Sequence, residues 1–141
     1  STPITERTNK QKIQAKLADE LIGELHFADI IIMGVPIYNF SAPATLKAWA
    51  DLVARAGTTF QYSENGPIGL LKDNKVYVIA VSGGTKIHSE IDFMTPWLKH
   101  FLGFIGLDKV EIIEADGIYA EDGEEKVIKA KNKINEMVVE F

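Results

Sequence analysis

The stretch that decides the fold is Ile30–Phe40, IIIMGVPIYNF, in which an apolar run passes directly into a turn-forming segment. Residues 30–35 are apolar without alternation, which is typical of a β-strand that is buried on both faces of a parallel sheet. Pro36 ends the run, because proline has no backbone N–H to offer a neighbouring strand. A strand of this kind needs helices to cover it, so helices are expected on either side in the sequence.

An amphipathic helix is predicted on each side of this strand, because apolar residues recur there at helical spacing. The first helix covers Thr8–Phe27 and is capped by its first residue or by Thr5. The second has Ser41 as its N-cap and Pro43 in its first turn, and it ends at Gly57. The residues expected on the buried faces are Ile13, Leu17, Leu21, Ile22 and Leu25 in the first helix, and Leu46, Trp49, Ala50, Val53 and Ala56 in the second.

Two more strands are predicted further along the chain. Lys75–Val81 is a second apolar run, and Ser82-Gly83-Gly84 ends it. Lys109–Ala115 is the third, and its Glu111 and Glu114 indicate a more exposed position at an edge of the sheet.

Two more helices accompany these strands. Ser89, with Asp92 three residues later, resembles a capping box that opens a helix ending at Gly106. Phe93 and Phe104 lie off the main apolar stripe of that helix, so they need a second partner, either a loop of this chain or another subunit. The last helix begins with acidic residues and continues into lysines, as the helix dipole favours. Its expected buried stripe consists of Val127, Ala130, Ile134, Met137 and Val138.

The order α-β-α-β-α-β-α predicts one domain of the α/β class over residues 1–141, with helices on both faces of a parallel sheet. Charged residues make up 25% of the chain and apolar types 46%, a composition that excludes a disordered protein. The net charge of −5 argues against binding to nucleic acid or to an anionic membrane. Cysteine is absent, which excludes thiol chemistry, and no apolar run approaches the roughly 18 residues of a membrane span. The expected location is the cytoplasm.

A ligand site is expected where the strands end, because parallel sheets bind ligands beyond the carboxyl ends of their strands. Pro36–Phe40 places two aromatic rings and an amide there, and Ser82–Gly84 adds a backbone that a ligand can approach closely. Together they fit a flat heteroaromatic ligand, although each alone is more often ordinary packing or a turn. The three histidines lack metal-ligand spacing, so no metal site is predicted. Ser82 lacks the Gly-x-Ser-x-Gly motif of a hydrolase nucleophile, and no Asp and His partners are evident, so a serine hydrolase is poorly supported.

Several motifs together resemble the FMN-dependent NADH azoreductases and quinone reductases, which are flavodoxin-like proteins. The likeness covers almost the whole chain and corresponds to the C-terminal two-thirds of a family domain. The motifs that carry it are Pro36–Phe40, Leu46-Lys47, Asp51–Tyr62, Glu64–Pro67, Gly69-Leu70, Ser82–Gly84, Thr95–Leu98 and Phe101–Gly106.

The resemblance implies a flavodoxin-like three-layer α/β/α fold and a set of site residues. The cofactor-binding residues would be Pro36, Ile37, Tyr38, Asn39 and Phe40, around the isoalloxazine ring of FMN, and Ser82, Gly83 and Gly84, on its pyrimidine side. The substrate face would be lined by Phe60, Tyr62 and Phe104, partly from the second subunit of a homodimer. NADH or NADPH would reduce FMN and leave, and a quinone or azo compound would then take the electrons in a ping-pong reaction. No side chain need act as an obligatory acid or base.

Two departures from the family pattern shape the expectations. Val81-Ser82 precedes the glycines where an arginine is frequent in the family. The family's N-terminal strand, phosphate-binding loop, helix and second strand have no counterpart in residues 1–141. The apolar strand at Ile30–Val35 is therefore expected to have an unpaired edge, and these residues alone are expected to bind little FMN. A flavodoxin-like module without catalysis is the alternative. Phosphodiesterase action, suggested only by an older family name, would need a metal or nucleophile cluster that the sequence lacks.

Overall fold

A parallel sheet of three strands forms the centre of the computed structural model, which describes residues 4–6, 8–72 and 74–138. A 3-10 turn at Ile4–Glu6 precedes the first helix. The helices are α1 (Asn9–Phe27), α2 (Ala44–Val53), α3 (Met94–Phe104) and α4 (Gly123–Val138). The strands are β1 (Ile30–Pro36), β2 (Phe60–Ser63), β3 (Gly66–Gly69), β4 (Lys75–Val81) and β5 (Lys109–Ala115).

The sheet has the strand order β1-β4-β5, and both pairings are parallel. Pro36 lies opposite Val81, and Val81 lies opposite Ala115, so the three carboxyl ends meet at one edge of the sheet. The strands β2 and β3 form a separate antiparallel hairpin. The three main strands therefore match their predicted bounds within one residue, and the predicted edge position of β5 is confirmed among the described residues.

The main core lies on one face of the sheet, where α1, α2 and α3 pack on alternate residues of β4. Val76, Val78 and Ala80 of that central strand are fully buried. On the other face, Ala130 of α4 packs with Ile113 and neighbouring residues of β5. The expected three-layer α/β/α arrangement with a parallel sheet is thus confirmed. In the described ranges, no helix is both long enough and apolar enough to cross a membrane.

The prediction that β1 is buried on both faces is wrong. Ile30 is 40% exposed and Ile32 is 69% exposed. Both side chains lie on the face that α4 covers, but the cluster that α4 forms there includes residues of β5 and β4 and none of β1. With other apolar side chains, Ile30 and Ile32 line an open cavity of about 270 Å³. No strand in the described part of the chain pairs with the outer edge of β1, as expected from the resemblance. An apolar strand therefore stands at an edge, a position that favours pairing with another chain.

The predicted ends of two helices are also corrected. Ser41 does not cap α2, because its backbone N–H and C=O are both bonded to Tyr38, and the helix begins after Pro43 instead. That helix ends at Val53 rather than Gly57, since the carbonyl of Arg55 accepts turn bonds from the residues that follow. Ser89 does not open α3, which begins at Met94, although Gly106 ends it as predicted.

The buried faces of the outer helices agree only in part with prediction. Thr8 caps α1 in a capping box with Gln11, and Ile22 and Leu25 are buried as expected. Ile13 and Leu17 are 70% and 45% exposed, because the first half of α1 extends beyond the core. In α4 the expected stripe is buried or half-buried at Val127, Ala130, Ile134 and Met137, whereas the side chain of Val138 lies outside the described residues.

Candidate functional site

Three loops meet at the carboxyl edge of the sheet: the first (37–43) follows β1, the second (82–93) follows β4 and the third (116–122) follows β5. Backbone hydrogen bonds join them to the neighbouring strands. The N–H of Ile37 donates to the carbonyl of Val81 at 2.7 Å, which extends the pairing of β1 with β4 beyond Pro36. In the same way, the N–H of Ser82 donates to the carbonyl of Ala115 at 3.2 Å. The segments predicted to bind a ligand, Pro36–Phe40 and Ser82–Gly84, therefore lie side by side at one edge.

The first loop is a tight turn in which two non-glycine residues have positive φ. Tyr38 and Ser41 exchange two backbone hydrogen bonds of 3.0 Å, and between them Asn39 and Phe40 have φ values of 48° and 68°. Positive φ at both central residues is the geometry of a type I′ turn, which asparagine tolerates but phenylalanine does not favour. The carbonyl of Phe40 accepts a bond of 3.0 Å from the N–H of Phe93, which holds the turn against the start of α3. The side chains of Tyr38, Asn39 and Phe40 are nevertheless exposed.

Ser82 begins the second loop and uses its hydroxyl within the protein. Its side chain is buried, and its hydroxyl donates to the carbonyl of Thr85 and accepts from the N–H of Gly117 at 3.4 Å. The carbonyl of Ser82 also accepts from the N–H of Ile118 at 3.1 Å. Ser82 therefore shapes the loop, and any contact that it makes with a ligand would come from its backbone.

The two glycines that follow present unused backbone donors. Among the described residues, the N–H groups of Gly83 and Gly84 have no acceptor, and the carboxamide of Asn39 has no partner. A Cβ atom added at Gly84 would meet nothing within 4 Å. At Gly83 it would lie 2.8 Å from the ring of Tyr119, an 88% exposed side chain on the third loop. The space beside Gly84 is thus open to a ligand, and Gly83 is in contact with an aromatic ring.

Two residues of the third loop, which the sequence places at the carboxyl edge, were not among the predicted site residues. Asp116 accepts a hydrogen bond from the N–H of Ile87 at 2.9 Å, and Tyr119 covers Gly83. Their position directly after β5 indicates that the third loop lies at the carboxyl edge. That position does not indicate which side chains of the loop contribute to a site.

Asp92 organises the end of the second loop and the start of α3. Its carboxylate accepts from the N–H groups of His88, Met94 and Thr95 at 2.9–3.0 Å and from the hydroxyl of Thr95. Burial by itself would raise the pKa of Asp92, but these bonds to Thr95, His88 and Met94 outweigh it and hold the pKa below its usual value of 3.8. Asp92 is therefore the residue that caps α3, in the role that the sequence suggested for Ser89.

The residues predicted to line the substrate face cluster with one another. The ring centroid of Phe60 lies 4.4 Å from that of Phe104 and 5.3 Å from that of Tyr62. Phe60 is buried, whereas Tyr62 is 78% exposed. The second partner expected for Phe104 is thus this hairpin of the same chain, while Phe93 remains 59% exposed.

This aromatic cluster lies at the opposite end of the sheet from the loops at the carboxyl edge. The helix α3 starts beside Phe40, and its eleven residues span about 16 Å at 1.5 Å per residue. It ends at Phe104, five residues before Lys109, which pairs with Lys75 at the amino end of the sheet. One chain therefore does not bring the predicted cofactor-binding and substrate-lining residues into the same pocket.

No metal site is found in the described part of the chain, where no three histidine or acidic side chains could hold an ion together. The Nε2 atom of His88 lies 3.3 Å from Oε1 of Glu114, an exposed pair near the carboxyl edge.

Residues 2–138 match a protein family described by its flavodoxin-like fold. The chain is also 56% identical over 137 residues to an FMN-dependent NADH:quinone oxidoreductase of Erythrobacter litoralis, a match that spans 96% of this chain and 70% of the relative. The chain belongs to this family of flavodoxin-like quinone reductases and azoreductases.

Other family members give the same picture. An FMN-dependent NADH:quinone oxidoreductase of Pelagibacter ubique is 47% identical over 134 residues, which cover 94% of this chain and 69% of the relative. Among solved structures, an FMN-dependent NADH-azoreductase of Bacillus anthracis in complex with FMN superposes with a TM-score of 0.86 at 26% identity, covering 96% of this chain and 66% of that one. The azoreductase AzrA has the same TM-score at 25% identity, over 96% of this chain and 68% of its own.

Proposed function

We propose that this protein is an FMN-dependent oxidoreductase that transfers electrons from NADH to quinones and azo compounds. The observation that carries the proposal is the pair of adjacent loops at the carboxyl edge, with unused donors at Gly83 and Gly84 and exposed aromatic rings at Tyr38 and Phe40. The relatives named as FMN-dependent NADH:quinone oxidoreductases, at 56% and 47% identity, support it, and they disfavour the alternative of a module without catalysis.

The residues at the carboxyl edge fit the flat ring system of a flavin. We propose that the amides of Gly83 and Gly84 donate to its pyrimidine oxygens and nitrogens, and that the free carboxamide of Asn39 bonds to the ring edge. Tyr38 and Phe40 supply aromatic faces, and Pro36 and Ile37 supply the backbone that fixes the turn. Ser82 contributes through the shape of its loop.

Bound FMN would supply the two-electron transfer, in which NADH, a proton and a quinone become NAD⁺ and a hydroquinone. The protein binds and orients the rings. No side chain is required as an acid or base in this scheme, so we propose that the proton comes from solvent. NADPH could replace NADH as the donor, and activity measured with each would rank them. We place the reaction in the cytoplasm, where the nicotinamide donor is held, and we propose that residues 1–141 belong to a single domain.

We further propose that the active unit is a homodimer. The substrate-lining rings Phe60, Tyr62 and Phe104 lie at the far end of the sheet from the flavin loops, so they can complete a site only by facing the loops of a second copy. The exposure of Tyr62, and of Phe93 beside the turn, is consistent with surfaces that a partner covers.

The proposal is tested by NADH oxidation with added FMN and a benzoquinone, in residues 1–141 preceded by the N-terminal residues of the Erythrobacter litoralis relative, hereafter the extended protein. We expect turnover that needs both additions, with one hydroquinone formed for each NADH consumed. A folded chain that is saturated with FMN but oxidises no NADH would contradict the function. Residues 1–141 alone serve as a second sample, which tests the expectation that they bind little FMN.

In the extended protein, replacement of Gly84 by valine is expected to weaken FMN binding at least tenfold without loss of stability. An added side chain would meet no protein atom within 4 Å, so it would occupy the space that we assign to the flavin. Fluorescence titration of FMN, together with thermal unfolding of the FMN-free protein, measures both effects. Gly23→Ala is the matched control, because its surroundings are equally open but it lies in α1. Unchanged affinity in Gly84→Val would place the flavin elsewhere.

In the extended protein, replacement of Phe40 by glycine is expected to raise the stability or leave it unchanged while it weakens FMN binding severalfold. A phenylalanine with a φ of 68° costs roughly 1 kcal/mol relative to glycine, and its ring is 52% exposed. Urea unfolding of the FMN-free protein and FMN titration separate the two properties. A loss of more than about 1 kcal/mol of stability would instead make Phe40 a packing residue.

A further inference from the structure

Asp116 is a nearly buried carboxylate directly after β5, and it has a specific partner in the second loop. Its side chain is 14% exposed, and its Oδ2 atom accepts from the N–H of Ile87 at 2.9 Å. Its Oδ1 atom lies 3.9 Å from Nζ of Lys126, which also pairs with Asp122 at 3.3 Å. The bond to Ile87 joins the third loop to the second across 29 residues of sequence.

The segment Ser82–Ile87 is thereby attached to the third loop at both of its ends. At the start, Ser82 donates its N–H to Ala115 and accepts from the N–H of Gly117 at its hydroxyl. At the end, the carboxylate of Asp116 accepts a hydrogen bond from the N–H of Ile87. The unused donors of the two glycines lie between these attachments.

Such attachments matter because two consecutive glycines lose more backbone entropy on ordering than other residues do. A pair of amides that must point at a ligand gains affinity when its direction is fixed before binding. In this loop the glycines have no side chains that could fix it, and bonds from the third loop do so instead. The carbonyl of Ser82 accepts from the N–H of Ile118 at 3.1 Å, and the carbonyl of Gly83 accepts from the N–H of Tyr119 at 3.4 Å. These carbonyls share their peptide groups with the N–H groups of Gly83 and Gly84, so the direction of the two amides depends on how the third loop is held.

We propose that Asp116 is a positioning residue for the flavin site: its bond to Ile87 holds the third loop against the second, and so keeps the direction of the Gly83 and Gly84 amides. This inference rests on the proposed function. Asp116 acts through the backbone of the second loop and is not itself assigned a contact with the flavin.

Three variants of the extended protein separate the effect of the hydrogen bond from the effect of the charge. Asp116→Ala removes the acceptor, and we expect FMN binding to weaken about tenfold. Asp116→Asn keeps an oxygen that can accept from Ile87, and we expect it to bind FMN within about twofold of the unchanged protein. Asp122→Ala is the control, since Asp122 pairs with the same Lys126 but has no bond to the second loop; we expect no change in FMN binding.

Two further measurements distinguish positioning from a general structural role. Hydrogen exchange of the FMN-free protein is expected to show faster exchange at Ile87 in Asp116→Ala, with the core of β4 unchanged. The absorption bands of bound FMN are expected to shift in Asp116→Ala and to return in Asp116→Asn, because they respond to hydrogen bonds at the ring.

Several outcomes would overturn the inference. One is an Asp116→Ala protein that binds FMN as tightly as the unchanged protein, with the same absorption bands, whether or not its thermal midpoint falls. Another is an Asp116→Asn protein that loses as much affinity as Asp116→Ala, since the charge and not the bond would then matter. If the unchanged extended protein failed to bind FMN, the proposed function would fail as well, whereas tight binding that does not respond to Asp116→Ala would overturn only this inference.

Discussion

Replacement of Gly106 by alanine is expected to destabilise the protein by about 3–5 kcal/mol, a large part of the stability of a domain of this size. Gly106 has a φ of 99°, and an added Cβ atom would lie 2.2 Å from the carbonyl oxygen of Leu71. The residue ends α3 in a Schellman motif, in which Leu107 donates to Leu102 at 2.9 Å and Gly106 donates to Gly103 at 3.0 Å. Alanine would meet both backbone strain and a steric clash.

The clash cannot be relieved locally, because backbone surrounds the site. Gly69, at the end of β3, lies against Gly106 so closely that its own Cβ would come within 2.1 Å of the Gly106 nitrogen. The N–H of Leu71 donates to the carbonyl of Ile105 at 3.0 Å in the same contact. Thermal unfolding should show a midpoint lowered by about 10 °C or more. Gly23→Ala, in an open helical position, should gain about 0.5–1 kcal/mol. A Gly106→Ala protein as stable as the original would mean that α3 and the hairpin do not meet in this way.

Replacement of Asp92 by alanine is expected to cost about 2–4 kcal/mol at neutral pH. The change leaves the N–H groups of His88, Met94 and Thr95 without their shared acceptor in a buried region. Asp92→Asn should lose less stability, because its remaining side-chain oxygen still accepts a hydrogen bond. Urea unfolding measures both, and Asp51→Asn, an exposed carboxylate paired with Lys47, should change stability by no more than about 0.5 kcal/mol.

The stabilisation by Asp92 should also depend on pH in a defined direction. The pKa of Asp92 is lower in the folded protein than its usual value of 3.8, so the unfolded chain binds the proton more tightly. The contribution of ionised Asp92 to the free energy of unfolding is therefore complete at pH values above its usual pKa. It is lost as the pH falls below that value toward the pKa of Asp92 in the folded protein. The difference in stability between the unchanged protein and Asp92→Asn should shrink over that range. A difference that stays constant between neutral and acidic pH would show that the charge of Asp92 contributes nothing.

The strands and the meeting of the loops could be predicted from the sequence, because they depend on local patterns. Apolar runs bounded by Pro36, by Gly83 and by Asp116 define three strands with little ambiguity. Once the strands are parallel, their carboxyl ends must meet at one edge, and the loops follow without further information.

The remaining features depend on contacts that no local pattern encodes. The turn at Asn39-Phe40 lacks the glycine that normally marks a type I′ turn, so the sequence favoured a helix cap at Ser41 instead. The exposure of Ile32 depends on how far α4 reaches across the sheet. The bond from Ile87 to Asp116 joins two loops that are far apart in the chain, and only the sheet order brings them together.

The aromatic cluster of Phe60, Tyr62 and Phe104 is separated from the carboxyl-edge loops, and this separation has a consequence for how such a protein can evolve. In the dimer that we propose, a substitution at Tyr62 or Phe104 alters the pocket of the neighbouring molecule and leaves the pocket of its own chain untouched. Because both molecules come from one gene, every such change is made twice, symmetrically. Preference for a new acceptor can therefore evolve through substitutions in this cluster, without disturbing the residues of the same chain that we propose to bind the cofactor.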